Sequence, residues 1–175
     1  ILRKTKISEE NESILREDFM RKKIKVLSII FITLALIAII NFLPTFNLKT
    51  NKMISKETEA FIIYYETQDE EAVQDIADIL EKTYKKINSE MKFNRTEKTK
   101  IYVYPDQKTF QTKKYGNICR IIGPKWYIGD NVKDKVTIVS PLNPGPAHDY
   151  DSIVQAVVHE YVHTVVYHIN KKTPK

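Results

Sequence analysis

The residues best equipped for chemistry stand near the end of the chain, in the stretch AVVHEYVHTVVYHIN, where His159 and His163 are four positions apart and Glu160 follows the first. On an α-helix, residues four apart lie one above the other on nearly the same face, so the two imidazoles can converge on one ion. Zinc accepts neutral imidazole nitrogens at about 2.0–2.1 Å, and a catalytic zinc site keeps one position open for water. Water bound there is far more acidic than bulk water. A carboxylate beside it can take its proton and pass it to the leaving amine of a cleaved peptide bond. The spacing H-E-x-x-H on a helix therefore encodes a reaction as well as a metal, with His159 and His163 as ligands and Glu160 as the catalytic acid/base. The plainer reading is a structural helix whose three polar residues are incidental.

Val154, Val157, Val158, Val162, Val165 and Val166 flank this triplet. A protease acting inside a membrane span would also carry an apolar helix with this motif. Here Ser152, Gln155, His159, Glu160, His163 and His168 interrupt the run, so a helix buried in a soluble domain is expected. The preceding loop, PLNPGPAHDYD, is rich in breakers, and it offers Asp149 or Asp151 as the helix cap. His168, five positions past His163, points away from the ligand face. His148 lies in the loop and is assigned no role.

The elements that must hold this helix are legible upstream. AFIIYYE is a compact run of β-branched and aromatic residues, the signature of a buried strand. In the next stretch, QDEEAVQDIADILEKTYKKINSEM, the residues Val73, Ile76, Ala77, Leu80, Tyr84 and Ile87 recur at helical spacing. Acidic residues open that helix and lysines close it, as the helix dipole favours. TKIYVYP reads as a second strand, residues 108–120 as a short helix and loop around Phe110, and KWYIGD and DKVTIVS as two further strands. The order expected is strand, helix, strand, strand, strand, helix. This is an α+β fold with a mixed sheet of about four strands and two main helices.

Residues 26–43, VLSIIFITLALIAIINFL, contain no charge and are long enough to cross a hydrocarbon core as a helix. Arg21, Lys22, Lys23 and Lys25 precede them, and PTFN follows without charge, so the N-terminus is expected in the cytoplasm and the rest outside it. A cleaved signal peptide has a shorter apolar core and a small-residue cleavage site, which this stretch lacks. The expected divisions are a cytoplasmic tail at 1–23, an anchor at 24–43, a polar linker at 44–58 and a domain at 59–175. The tail reads as flexible or weakly helical. Much of the net charge of +6 lies in the tail and membrane flank. The exported part shows no cluster of basic and aromatic residues, which argues against nucleic-acid binding. Cys119 is the one cysteine, so no internal disulfide can form; a bacterial surface suits that better than a disulfide-stapled secreted scaffold.

From about Ala60 onward the chain resembles the peptidase MA-like gluzincins, zinc metallopeptidases with a thermolysin-related fold. The resemblance is carried by FIIYYE before a long helix, KIYVYPDQKTF, KVTIVSP and, above all, VVHEYVHTVV. It implies a zincin-like N-terminal lobe in which His159 and His163 bind Zn2+ and Glu160 is the acid/base. It also implies that a later strand, taken here as residues 136–140, forms the sheet edge along which a peptide substrate lies. Gluzincins supply a third ligand as a glutamate on a later helix, but no glutamate follows Glu160. The metzincin pattern would need glycine at Val166 and histidine at Ile169. The third ligand is therefore expected beyond residue 175, in a longer protein of which this chain is a fragment.

These readings converge on a membrane-anchored, extracytoplasmic zinc metallopeptidase, an endopeptidase rather than an exopeptidase, acting on peptide or protein. The rival is a non-catalytic surface or interaction protein that keeps the fold. Substrate-binding residues and oligomeric state are not legible in the sequence.

Overall fold

The computed structural model describes residues 2–94 and 97–172. The chain divides into two units, Ile1–Asn41 and Phe42–Lys175.

The first unit is helix α1, which spans Leu2–Phe42 and runs a single residue past the boundary. Among the described residues, this is the one helix long and apolar enough to cross a membrane. Leu27, Ile29, Phe31, Leu36 and Ile40 are all more than half exposed, an arrangement that water disfavours and lipid tolerates. The tail is helical here and continuous with the apolar segment, where a flexible or weakly helical stub was expected.

The second unit is an α+β domain around a mixed five-stranded sheet. Strands β1 (Ile54–Glu57), β2 (Phe61–Tyr65), β3 (Thr99–Tyr104), β4 (Gly129–Val132) and β5 (Lys135–Val139) lie in the order β1-β2-β3-β5-β4. β2, β3 and β5 run parallel, and the two edge strands, β1 and β4, pair antiparallel to their neighbours. Helices α2 (Glu70–Glu90) and α5 (Tyr150–Lys172) cover one face, with α2 linking β2 to β3. There Phe61, Ile63, Ile101, Val103, Val136 and Ile138 pack with Val73, Ile76 and Leu80 of α2 and Ile153, Val157 and Val165 of α5. Burying each such side chain contributes roughly 1.5–3 kcal/mol. Helix α3 (Gln107–Tyr115) lies against the other face, where Phe110 meets Tyr102, Tyr104 and Val139. A short helix, α4 (Cys119–Ile122), follows it.

Three details differ from the sequence expectations. Residues 44–58 are not a free spacer. Leu43–Phe46 form a 3-10 turn, Leu48 and Met53 pack into the core under α3, the Tyr104 hydroxyl donates to Leu48 O at 2.8 Å, and β1 completes the sheet. The strand expected at KWYIGD begins only at Gly129. Upstream of it, Gln107 Nε2 donates to Lys125 O at 2.5 Å and to Tyr127 O at 3.1 Å, so those carbonyls are not free to join a sheet ladder. Finally, the strand containing Val136 is interior, between β3 and β4, because it hydrogen-bonds on both sides. The edge nearest α5 is β4.

Candidate functional site

Helix α5 starts where a reciprocal cap holds it. Asp149 Oδ1 accepts from the Ser152 N–H at 2.8 Å, and Ser152 Oγ accepts from the Asp149 N–H at 3.0 Å. Of the two candidate caps, Asp149 makes the bond, and Asp151 lies inside the first turn. The roll of α5 is then set by Ile153, Val157, Tyr161 and Val165, a buried stripe at four-residue spacing. Tyr161 is the pivot. Its ring packs edge-on against Phe61 at 5.2 Å and its hydroxyl donates to Asn88 Oδ1 of α2 at 2.7 Å. His159 and His163 flank it by two residues on either side, so both are turned outward and exposed.

The two imidazoles meet. Their Nε2 atoms are 2.9 Å apart, with ring planes at 85°. Two nitrogens bound tetrahedrally to one zinc at about 2.0–2.1 Å lie roughly 3.3–3.4 Å apart, so admitting the ion requires the rings to open by only a few tenths of an ångström. At this distance one Nε2–H donates to the lone pair of the other ring, and a metal ion between the two would take the place of that shared proton.

Glu160 takes a different direction. It is half-buried, and its side chain lies against β4. A Cβ added to Gly129 would sit 3.3 Å from Glu160 Cγ and 3.6 Å from its Oε1. A side chain at this position would press the glutamate back by a few tenths of an ångström. Burial raises the Glu160 carboxyl above the usual glutamate range, and the charge of His163 and His159 only partly offsets that rise. Among the described residues, no third His, Cys, Asp or Glu joins the pair in a group able to hold a metal. The donor set thus fits two of the three protein ligands of a catalytic zinc, with Glu160 beside the pair.

A polar cluster that sequence reasoning missed stands next to the site. Asp130, the residue after Gly129, receives Lys114 Nζ at 2.7 Å and the hydroxyl of Tyr127, while the Tyr115 hydroxyl lies 3.1 Å from the carboxylate and 2.7 Å from that of Tyr127. Burial by itself would raise the Asp130 carboxyl. Lys114 and the two tyrosines together outweigh it and hold the group below the usual aspartate range. The cluster ties the C-terminal end of α3 to β4 and so fixes the strand against which Glu160 rests. The sequence held a hint in the spacing Tyr127 to Asp130, but Lys114 and Tyr115 are remote in the chain.

The other histidines stand apart from the pair. His148 Nε2 lies 2.8 Å from Trp126 O, and His168, near the end of α5, packs half-buried against Phe93 with ring centroids 5.8 Å apart.

Comparison of the chain with protein-family models, with curated proteins and with solved structures finds no match.

Proposed function

We propose that this chain is the anchor and N-terminal lobe of a membrane-anchored, extracytoplasmic zinc metallopeptidase resembling the peptidase MA-like gluzincins. One observation carries the reading: the 2.9 Å approach of His159 and His163 Nε2 on the outward side of a helix whose roll is fixed by buried contacts. His159 and His163 are the residues that would hold zinc, together with a third protein ligand that the resemblance places on a later helix. When bound, zinc supplies Lewis acidity and an acidified water.

The chain's own groups do the rest. Glu160, lodged in a partly desolvated niche against Gly129, holds a carboxylate whose proton affinity is raised toward the range useful for general acid/base work. β4 is an edge strand whose outward backbone groups are those of Gly129 and Asn131, and although Asn131 O accepts from Lys114 Nζ at 3.4 Å, the Gly129 groups would pair with an extended peptide. A peptide added there would cross the sheet edge beside Gly129, and hence beside Glu160. A chain bound along its length presents an internal bond, which favours endopeptidase action. The segment of α1 that is long and apolar enough to cross a membrane would hold the domain at the outer surface.

A second reading, a non-catalytic surface protein that retains the fold, is favoured by the lack of a third ligand group among the described residues. Zinc analysis and cleavage of a fluorogenic peptide library by the full-length natural protein separate the two. The expected result is bound zinc in both wild type and Glu160→Gln, with cleavage lowered about 10²–10⁴-fold in the variant. Undiminished cleavage in Glu160→Gln removes that residue from the mechanism, and a full-length protein that takes up no zinc supports the binding module.

A further inference from the structure

The segment 118–126, helix α4 and the loop after it, presents apolar side chains to solvent in a way the peptidase reading does not use. Ile118 is 51 % exposed, Ile121 85 %, Ile122 73 % and Trp126 65 %. The backbone beneath them is held in place. Gln107 Nε2 donates to Lys125 O at 2.5 Å, Gln111 Nε2 donates to Pro124 O at 2.8 Å, and a Cβ on Gly123 would clash with Gln111 Oε1 and Cys119 O. Four large apolar side chains exposed within nine residues, beside a backbone held in place, mark contact with something else.

The charge around it names the something. Arg120 and Lys125 lie within this segment and no acidic residue stands between Asp106 and Asp130, while Lys113 and Lys114 are held by Asn47 O, Lys49 O and Asp130. Exposed isoleucines and a tryptophan flanked by Arg120 and Lys125 suit the interfacial layer of an anionic bilayer, where the ring and alkyl groups enter the headgroup boundary and the two cations meet lipid phosphate. The segment is also on the side where the domain begins. Lys113 of α3 donates to Asn47 O at 2.9 Å and to Lys49 O at 2.7 Å, immediately after the turn Leu43–Phe46, in which Leu43 and Phe46 are themselves exposed. Helix α3, on which this segment packs, is thus bonded to the first residues of the domain.

We infer that the segment 118–126 is a membrane-contact surface, with Ile118, Ile121, Ile122 and Trp126 entering the interfacial layer and Arg120 and Lys125 meeting anionic lipid headgroups. The inference rests on the reading of residues 26–43 as a membrane span. Lipid contact through this segment is a second attachment point, which restricts how the domain swivels on its anchor.

Trp126 is the one tryptophan in the chain and reports directly. Full-length protein is reconstituted into phosphatidylcholine vesicles with and without phosphatidylglycerol, and Trp126 emission is followed with lipids carrying a shallow doxyl quencher. The expected result is blue-shifted emission and strong quenching in the anionic vesicles. Both are lost in Ile121→Ser/Ile122→Ser, and both are retained in Ile54→Ser on β1, at the opposite sheet edge. Arg120→Gln and Lys125→Gln each weaken the contact equilibrium about fivefold. Circular dichroism checks that the variants fold, and the exposure of the changed residues makes that the expectation.

Alkaline carbonate extraction of the same vesicles separates two failures. Protein released by carbonate overturns the span and this inference with it. Protein that resists extraction while Trp126 stays unquenched overturns the lipid contact of this segment and leaves the anchor standing. Protection of Trp126 by added peptide or inorganic phosphate, with no doxyl quenching, also overturns the lipid assignment.

Discussion

Gly129 on β4 and Glu160 on α5 approach so closely that a methyl group on the glycine would lie 3.3 Å from the glutamate Cγ. The edge strand and the site helix meet at this point, and the size of one side chain decides whether Glu160 keeps its niche. Gly129→Ala is expected to fold normally and shift Glu160 by a few tenths of an ångström. Gly129→Val must displace it outright. On the proposed peptidase reading, cleavage should fall more steeply than thermal stability across the series glycine, alanine, valine. A proportional loss of both would mean that the contact serves packing alone.

The His159–His163 pair predicts a joint response to zinc. Added zinc should perturb the imidazole resonances of both residues together in NMR spectra. His163→Ala should lower zinc affinity by at least about tenfold, because a single exposed imidazole remains. His168→Ala should leave zinc affinity unchanged, since that ring packs against Phe93. Equal effects from both alanine variants would disprove the pairing.

Asp130 is held below the usual aspartate range, so its contribution to stability is present above the unfolded-state value and is lost as pH falls through the lower folded-state value. Asp130→Asn should cost about 1–3 kcal/mol at pH 7, the scale of hydrogen bonds to a charged group. Denaturant titrations should show that cost shrinking in strong acid. A cost independent of pH would mean that the carboxylate charge plays no part.

Asp69 has the opposite sign. It is 2 % exposed at the end of the turn after β2, and Ser140 Oγ donates to its Oδ1 at 2.5 Å. Burial raises its carboxyl, with the charges of Glu66 and Asp106 adding to the rise and the Ser140 bond opposing it. A raised folded-state value gives stability that is complete below the unfolded-state value and lost as pH rises through the folded one. The wild type should therefore gain on Asp69→Asn as the pH is lowered from neutrality, measured as the difference in melting temperature. A difference that is constant with pH would show that Asp69 titrates normally.

What could be read from the residues depended on burial. β2, α2, β3 and β5 have strong periodic or β-branched signals because each faces a core, and they stand where Phe61, Leu80, Ile101 and Val136 require. β1 was missed because an edge strand with the sequence ISKE is largely exposed and carries no apolar face. β4, sequence GDNV, is equally polar, and the aromatic run before it drew the expected strand too early. The histidine pair was legible because helical spacing alone brings the rings together. The contacts of Glu160 with Gly129 and of Lys114 with Asp130 are not local, and no one-dimensional pattern announces them.

The folding of residues 44–58 into the domain also sets a distance. As an extended spacer, those residues would give the domain a radius of action of about 50 Å beyond the lipid. Consumed as a turn, a core strap and an outer strand, they leave no slack. For a chain anchored as proposed, residues 44–58 are therefore not available as a free tether.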